Sequence, residues 1–300
     1  MTVTPRHCAM IGRFSLAWLA ALILLIGAPT QSPADPIDYS FGTVQNYSYQ
    51  SKGGFCVACS YINGATYLKN AFPSDYGGVP LATGSAATPA AAALNYAYNG
   101  WTSGGKTYQG YYNRCGASGN ALGDWWQTTI DWTESYAPGR TVYTGQTWAS
   151  MFGEDKSSWT YAKNVTNQFP TYAFLHDAAT KNDFIELGVY GYSSLNKGVV
   201  NITTGHAINL ADITYTDGVY TLAYQDPNFP TQIFTATLTP VTIGSQTAFS
   251  FYDPHSFESN AFLAAAFVMA PVPEPATIVL LGVGLAAILC HARWHSHRRA

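Results

Sequence analysis

A cysteine, a distant histidine and an aspartate following the histidine have the types and order that nucleophilic acyl chemistry needs. The cysteine lies in Gln50-Ser51-Lys52-Gly53-Gly54-Phe55-Cys56-Val57-Ala58-Cys59-Ser60. The attacking species is a thiolate, which is favoured at a helix N-terminus and beside an imidazolium. Cys56 opens a segment of helical spacing, and Gly53-Gly54 leaves room for a substrate backbone to approach. His206, in Gly205-His206-Ala207-Ile208-Asn209-Leu210, stands among strand-forming residues and is the candidate base. Asp226, in Tyr224-Gln225-Asp226-Pro227-Asn228, closes the next strand. A hairpin would carry it to the imidazole, where a carboxylate fixes tautomer and ring orientation. The Gln50 amide, with the backbone N–H of Cys56, is the candidate donor pair for an oxyanion.

Positioning these groups takes a helix and a set of strands. Val57, Tyr61, Ala65 and Leu68 recur at helical spacing and Pro73 stops the run, so the pattern predicts a helix over 56–72. Gly64 inside it costs about 1 kcal/mol relative to alanine. A Gly/Ser/Ala-rich loop over 77–89 leads to a second helix over 89–97. The Trp-, Tyr- and Gly-rich residues 100–150 read as loops with short helices over 121–126 and 147–152. From Thr171 the pattern turns to strands: 184–192, 206–215, 219–225, 232–238, 248–252 and 261–269, with Asp217-Gly218 as a hairpin signal. A helical first half and an antiparallel second half define an α+β class.

The ends of the chain read as targeting devices. Arg6 and Arg13, an apolar run over 14–26 and small residues to Ala34 have the order of a secretory signal peptide, 1–34, cut by signal peptidase before Asp35. Residues 271–300 hold Val272-Pro273-Glu274-Pro275, an apolar run over 276–290 and Arg293, Arg298 and Arg299. Physically this is a breaker, a short membrane span and a positive stop. The exported body, 35–270, is large enough for one domain. It holds nine Lys/Arg against sixteen Asp/Glu, a net of −7, because five of the fourteen basic residues lie in the ends. That balance excludes nucleic acid as a partner class. The body has three cysteines, Cys56, Cys59 and Cys115, an odd number for an oxidising compartment, so at least one thiol stays unpaired.

These residues carry two resemblances. Pro273-Glu274-Pro275 with its apolar run and basic end resembles the PEP-CTERM sorting signal of Gram-negative bacteria that make exopolysaccharide. This implies an exosortase as a processing partner and a cell-envelope or extracellular location. Gln50 six before the cysteine, Gly54 two before it, and Cys56-Val57-Ala58-Cys59-Ser60 resemble the active-site segment of papain-like cysteine peptidases, as His206-Ala207 resembles the base segment. The window 205–228, with the Asp217-Gly218 turn and a strand ending at Asp226, is similar to the base-and-acid hairpin of the streptococcal immunoglobulin-degrading peptidases. Those enzymes carry a second acid where Asn228 stands. Val57 replaces the family's tryptophan, and Asp226-Pro227 replaces its asparagine. The resemblance implies a papain-like domain over 35–270, with a sheet or half-barrel second half. It also implies hydrolysis of a protein or peptide substrate by Cys56, His206, Asp226 and Gln50, without a cofactor, in a monomer.

Other readings of the same residues stay open. Cys56-Val57-Ala58-Cys59 is a C-x-x-C, which fits a redox pair at a helix start, although no thioredoxin-type strand-turn-helix precedes it. Half a zinc site would need a second ligand pair, and none has the spacing, so no metal is expected. Cys59 either packs within its helix or pairs with Cys115. His176 and His255 are rivals of His206, each in a polar or turn context. The tryptophans 101, 125, 126 and 132 read as packing and stand outside the site. The whole chain also fits a non-catalytic surface or matrix protein on a degenerate papain-like scaffold. Transglutaminase-like acyl transfer, which uses the same residue types, is disfavoured by the long Cys–His gap.

Overall fold

The computed structural model describes residues 55–79, 89–118, 121–229, 231–255 and 259–272. All lie in the compact unit Pro36–Ala300; the other unit, Met1–Asp35, falls outside the described residues. The expected signal peptide and the expected apolar span at 276–290 also lie outside them. Among the described residues no helix is long and apolar enough to cross a membrane.

The first half is helical. Helix α1, Phe55–Ala71, is buried without a break from Ala58 to Leu68, so it is a core helix rather than an amphipathic surface one. Its small residues Ala58, Cys59, Ser60 and Gly64 permit close approach to the sheet. The pattern placed this helix to within a residue. Pro73 ends it by opening a short helix α2, Pro73–Tyr76. Helix α3, Pro89–Leu94, continues into a π-turn at Asn95–Asn99. A small hairpin, β1 (Trp101–Ser103) and β2 (Lys106–Tyr108), turns on Gly104 and Gly105, both at positive φ. Helix α4, Tyr111–Ser118, and helix α5, Ala121–Tyr136, complete this half.

The second half is a sheet of eight strands: β3 (Thr141–Thr147), β4 (Val165–Thr166), β5 (Phe184–Asn196), β6 (Val199–Thr216), β7 (Val219–Gln225), β8 (Ile233–Ile243), β9 (Gln246–Asp253) and β10 (Ser259–Pro271). Their order is β4-β3-β10-β5-β6-β7-β8-β9, and β10 also pairs with β9. Strands β10, β5, β6, β7, β8 and β9 therefore form a closed antiparallel circuit. Period-two alternation divides its residues. Phe184 faces the helical core with Ala211 and Phe267, while Ile185, Leu187 and Val189 join a second core with Ile208, Leu222 and Leu263. The architecture is mixed helix and sheet, as expected.

Several sequence expectations are corrected. The helix expected over 121–126 runs on to Tyr136, because Trp126 and Trp132 are buried along it and the Glu154 carboxylate receives the orphan N–H groups of Leu122 (2.8 Å) and Gly123 (3.1 Å) at its start. No helix spans 147–152: Thr147 ends β3 and Ala149–Phe152 is a single 3-10 turn. Thr171 starts not a strand but helix α6, Tyr172–Thr180, whose Phe174 N–H it caps through Oγ1 at 3.3 Å. The expected half-barrel closes through the β9–β10 pairing. Cys59 and Cys115 form no bridge; Cys56, Cys59 and Cys115 are all free.

Candidate active site

Cys56 sits in the first turn of α1, where peptide N–H groups point at its sulfur. It is 5 % exposed. The ladder β5–β6 places His206 opposite Val189, and β6–β7 places Asn209 opposite Gln225, so Asp226 emerges just past the ladder on the His206 side. Asp226 Oδ1 lies 3.0 Å from His206 Nε2. The same oxygen accepts from the backbone N–H of Asn228 at 2.7 Å, and Phe229 N–H donates to the Asp226 carbonyl at 2.8 Å. Asp226-Pro227-Asn228-Phe229 is thus an Asx-stabilised turn, with proline supplying its fixed φ. Proline directly after the acid is what makes this turn rigid.

His206 also hydrogen-bonds the Cys56 sulfur, which receives backbone N–H groups of Ala207 and Val57 as well. With Nε2 held by Asp226, Nδ1 is the ring nitrogen left for the sulfur. Burial alone would push the Cys56 thiol up. The positive His206 ring, its hydrogen bond and the two N–H groups outweigh burial, and the thiol lies below its ordinary value. Burial likewise pulls His206 down, but the Cys56 charge and the Asp226 carboxylate hold it up. Both shifts favour a thiolate–imidazolium pair. Cys59, one turn further into the core, goes the other way: burial and the neighbouring Cys56 raise it.

The structure therefore brings Cys56, His206 and Asp226 together. Gln50 lies outside the described residues. His176 is exposed against Tyr172, and His255 is exposed and stacks on Phe234; neither lines the cavity at Cys56. Among the described residues no group of three His, Cys, Asp or Glu side chains is set to hold a metal ion. A cavity of about 160 Å³ opens beside Cys56 and His206, walled by Tyr111, Tyr112, Trp125 and Tyr190. Glycine keeps it open: a Cβ on Gly188 would come 3.1 Å from Trp125, and one on Gly205 3.1 Å from Tyr190.

A polar row behind the cavity was not legible in the sequence. Glu186, Asn209 and Gln225 stand in register on β5, β6 and β7 and are each 0 % exposed. Ser60 Oγ donates to Asn209 Oδ1 at 2.5 Å. Asn209 Nδ2 lies 3.2 Å from the Ser60 carbonyl and 3.1 Å from Gln225 Oε1. Trp125 Nε1 donates to Glu186 Oε2 at 2.9 Å. The signal was present as single polar residues within otherwise apolar strand runs. Trp125, read from sequence as packing, belongs to the cavity wall.

Comparison with known proteins bears on the C-terminus. A family model described as the PEP-CTERM protein-sorting motif matches residues 271–293. The motif points to an exported protein sorted by an exosortase to the envelope of a Gram-negative bacterium. No curated protein matches the chain.

Proposed function

We propose that this protein is an exported cysteine peptidase on a papain-like scaffold, sorted through its C-terminal signal. One observation carries the reading: the Cys56 sulfur, at a helix start, shares a hydrogen bond with His206, whose Nε2 is 3.0 Å from buried Asp226. In the proposed reaction the thiolate attacks a peptide carbonyl. His206 gives its proton to the leaving amine and then takes one from the water that cleaves the thioester. Asp226 holds the ring in position, and Gln50 with the Cys56 N–H receives the oxyanion. The aromatic cavity offers a substrate side chain an apolar seat. The C-terminal run would tether the protein to the membrane before exosortase processing.

The test is labelling of the full chain by a thiol-directed peptidyl electrophile at neutral pH, with hydrolysis of an unfolded protein substrate measured in parallel. Wild type is expected to label at Cys56 and to cleave. Cys56→Ala abolishes both, and His206→Ala lowers hydrolysis by at least about 100-fold, the lower range of general acid–base contributions, and labelling by at least about tenfold. Labelling of Cys56 that is no faster than that of a free thiol would sink the peptidase reading. The second reading, a non-catalytic surface protein on the same scaffold, is favoured by the near-complete burial of Cys56. Slow labelling of Cys56 together with no hydrolysis would support it.

A further inference from the structure

Glu186 is a buried carboxyl for which the proposed reaction has no use. It lies between α1, α5 and the sheet, and none of the described ion pairs includes it: these join Arg114 with Asp131, Arg140 with Asp75, Lys181 with Asp177 and His206 with Asp226. The titratable groups that face it are Cys56 and Tyr61 on α1 and Tyr96 in the π-turn, none of them a cation. An ionised carboxylate there would be buried near a thiolate whose one cation, His206, is already shared with Asp226.

The hydrogen-bond inventory settles which atoms need a proton. Glu186 Oε2 accepts from Trp125 Nε1, and Oε1 accepts from nothing. Ser60 has one hydroxyl hydrogen, and Asn209 Oδ1 receives it. The Ser60 hydroxyl also faces Glu186, where its hydrogen would favour the ionised carboxyl, but Asn209 Oδ1 takes that hydrogen at 2.5 Å and leaves only an Oγ lone pair for Glu186. Asn209 spends its two amide hydrogens on the Ser60 carbonyl and Gln225. A hydrogen on Glu186 Oε1, donated to Ser60 Oγ, completes the row; an ionised Glu186 leaves Oε1 bare.

We propose that Glu186 is held as a neutral carboxylic acid and is a positioning residue for the thiol site, donating to Ser60 one helical turn beyond Cys56 and accepting from Trp125 in the cavity wall. It fixes α1 and the wall against one sheet row and keeps a second negative charge away from the thiolate. The kinetic part rests on Cys56 being the reactive thiol; the protonation does not.

Two measurements on the full chain test this. The infrared difference spectrum of wild type minus Glu186→Gln at neutral pH should show the loss of a protonated carboxylic C=O band that shifts in D₂O. Carboxylate bands in its place would overturn the proposal. Glutamine keeps one donor, one acceptor and no charge, so Glu186→Gln should alkylate at Cys56 within about twofold of wild type. Glu186→Met, of similar size but without hydrogen bonds, should lose about tenfold or more at neutral pH, equivalent to a one-unit rise of the thiol. Equal loss in both variants, or in neither, would overturn the positioning role. If Glu186→Met does not fold, the band and the Glu186→Gln rate still decide. Unreactive Cys56 in wild type overturns the positioning role together with the peptidase reading, while the band then upholds the protonation alone.

Discussion

At Cys56 two physical effects oppose each other, and the balance depends on one neighbour. Burial penalises the thiolate, whereas the His206 ring and two backbone N–H groups favour it; the net shift is downward. His206 is shifted upward by the Cys56 charge and Asp226, against its own burial. A lowered thiol ionises as pH rises through a value below the usual one, and a raised imidazole stays charged to a value above its usual one. The ion pair therefore exists between the lowered thiol value and the raised imidazole value. Cys56 alkylation should reach its plateau at a lower pH than the roughly 8.5 at which a free thiol titrates. In His206→Ala only burial remains as the large effect, so the plateau should move above that range and the neutral rate fall at least about tenfold. Asp226→Ala should move the rise of Cys56 alkylation to higher pH, because the ring loses the carboxylate that keeps it charged beside the sulfur. A pH series of alkylation rates reads all three; superimposable profiles would refute the coupling. Cys56, His206 and Asp226 were legible because their side-chain types are chemically distinctive and lie at the ends of recognisable elements. Glu186 was not, because a lone polar residue in an apolar strand reads like an outward-facing one until the register puts Asn209 and Gln225 beside it.

Helix α1 delivers Cys56 to His206 only because it lies close on β5. Gly64 is the contact that sets this distance: a Cβ there would fall 2.0 Å from the ring of Phe184, which is itself fully buried. The intrinsic helix penalty of glycine is thus offset by packing. Gly64→Ala should destabilise the protein by about 1–3 kcal/mol despite alanine's better helix propensity, because overpacking a filled core costs that much. Denaturant unfolding measures it; a stabilised variant would show that α1 does not pack against Phe184 in this way. Strand β7 was read to the residue, since Asp217 and Gly218, both at positive φ, mark its hairpin without ambiguity. Helices α5 and α6 were shortened or missed for the opposite reason. Their Trp, Tyr, Thr and Phe content is strand-like locally, and what makes them helical is remote or subtle: Glu154 at the α5 start, buried indoles along it, and the Thr171 cap on α6. The β9–β10 closure was equally invisible, because strand pairing over a distance leaves no local pattern.

For the whole molecule, the sorting motif and the folded body meet at one strand. Strand β10 pairs with β3, β5 and β9, runs to Pro271, and leads into Val272, whose N–H donates to the Arg140 carbonyl at 2.8 Å. The matched motif begins at residue 271, where this strand ends. Among the described residues the last ladder pair is Pro271 with Thr141, so a chain ending at Val272 keeps every described strand. A chain ending at Val272 should unfold with a free energy within about 0.5 kcal/mol of the full chain, the range of changes away from packed features. It should also keep its Cys56 alkylation rate. A chain ending at Pro254 loses the strand that joins β3, β5 and β9, along with the buried run from Ala261 to Met269. It should show no cooperative transition, because the strand circuit can no longer close and two cores lose a shared wall. Paired denaturant curves decide the matter. Loss of stability in the chain ending at Val272 would mean that the C-terminal segment is part of the fold, and that the signal cannot be detached without cost to the site.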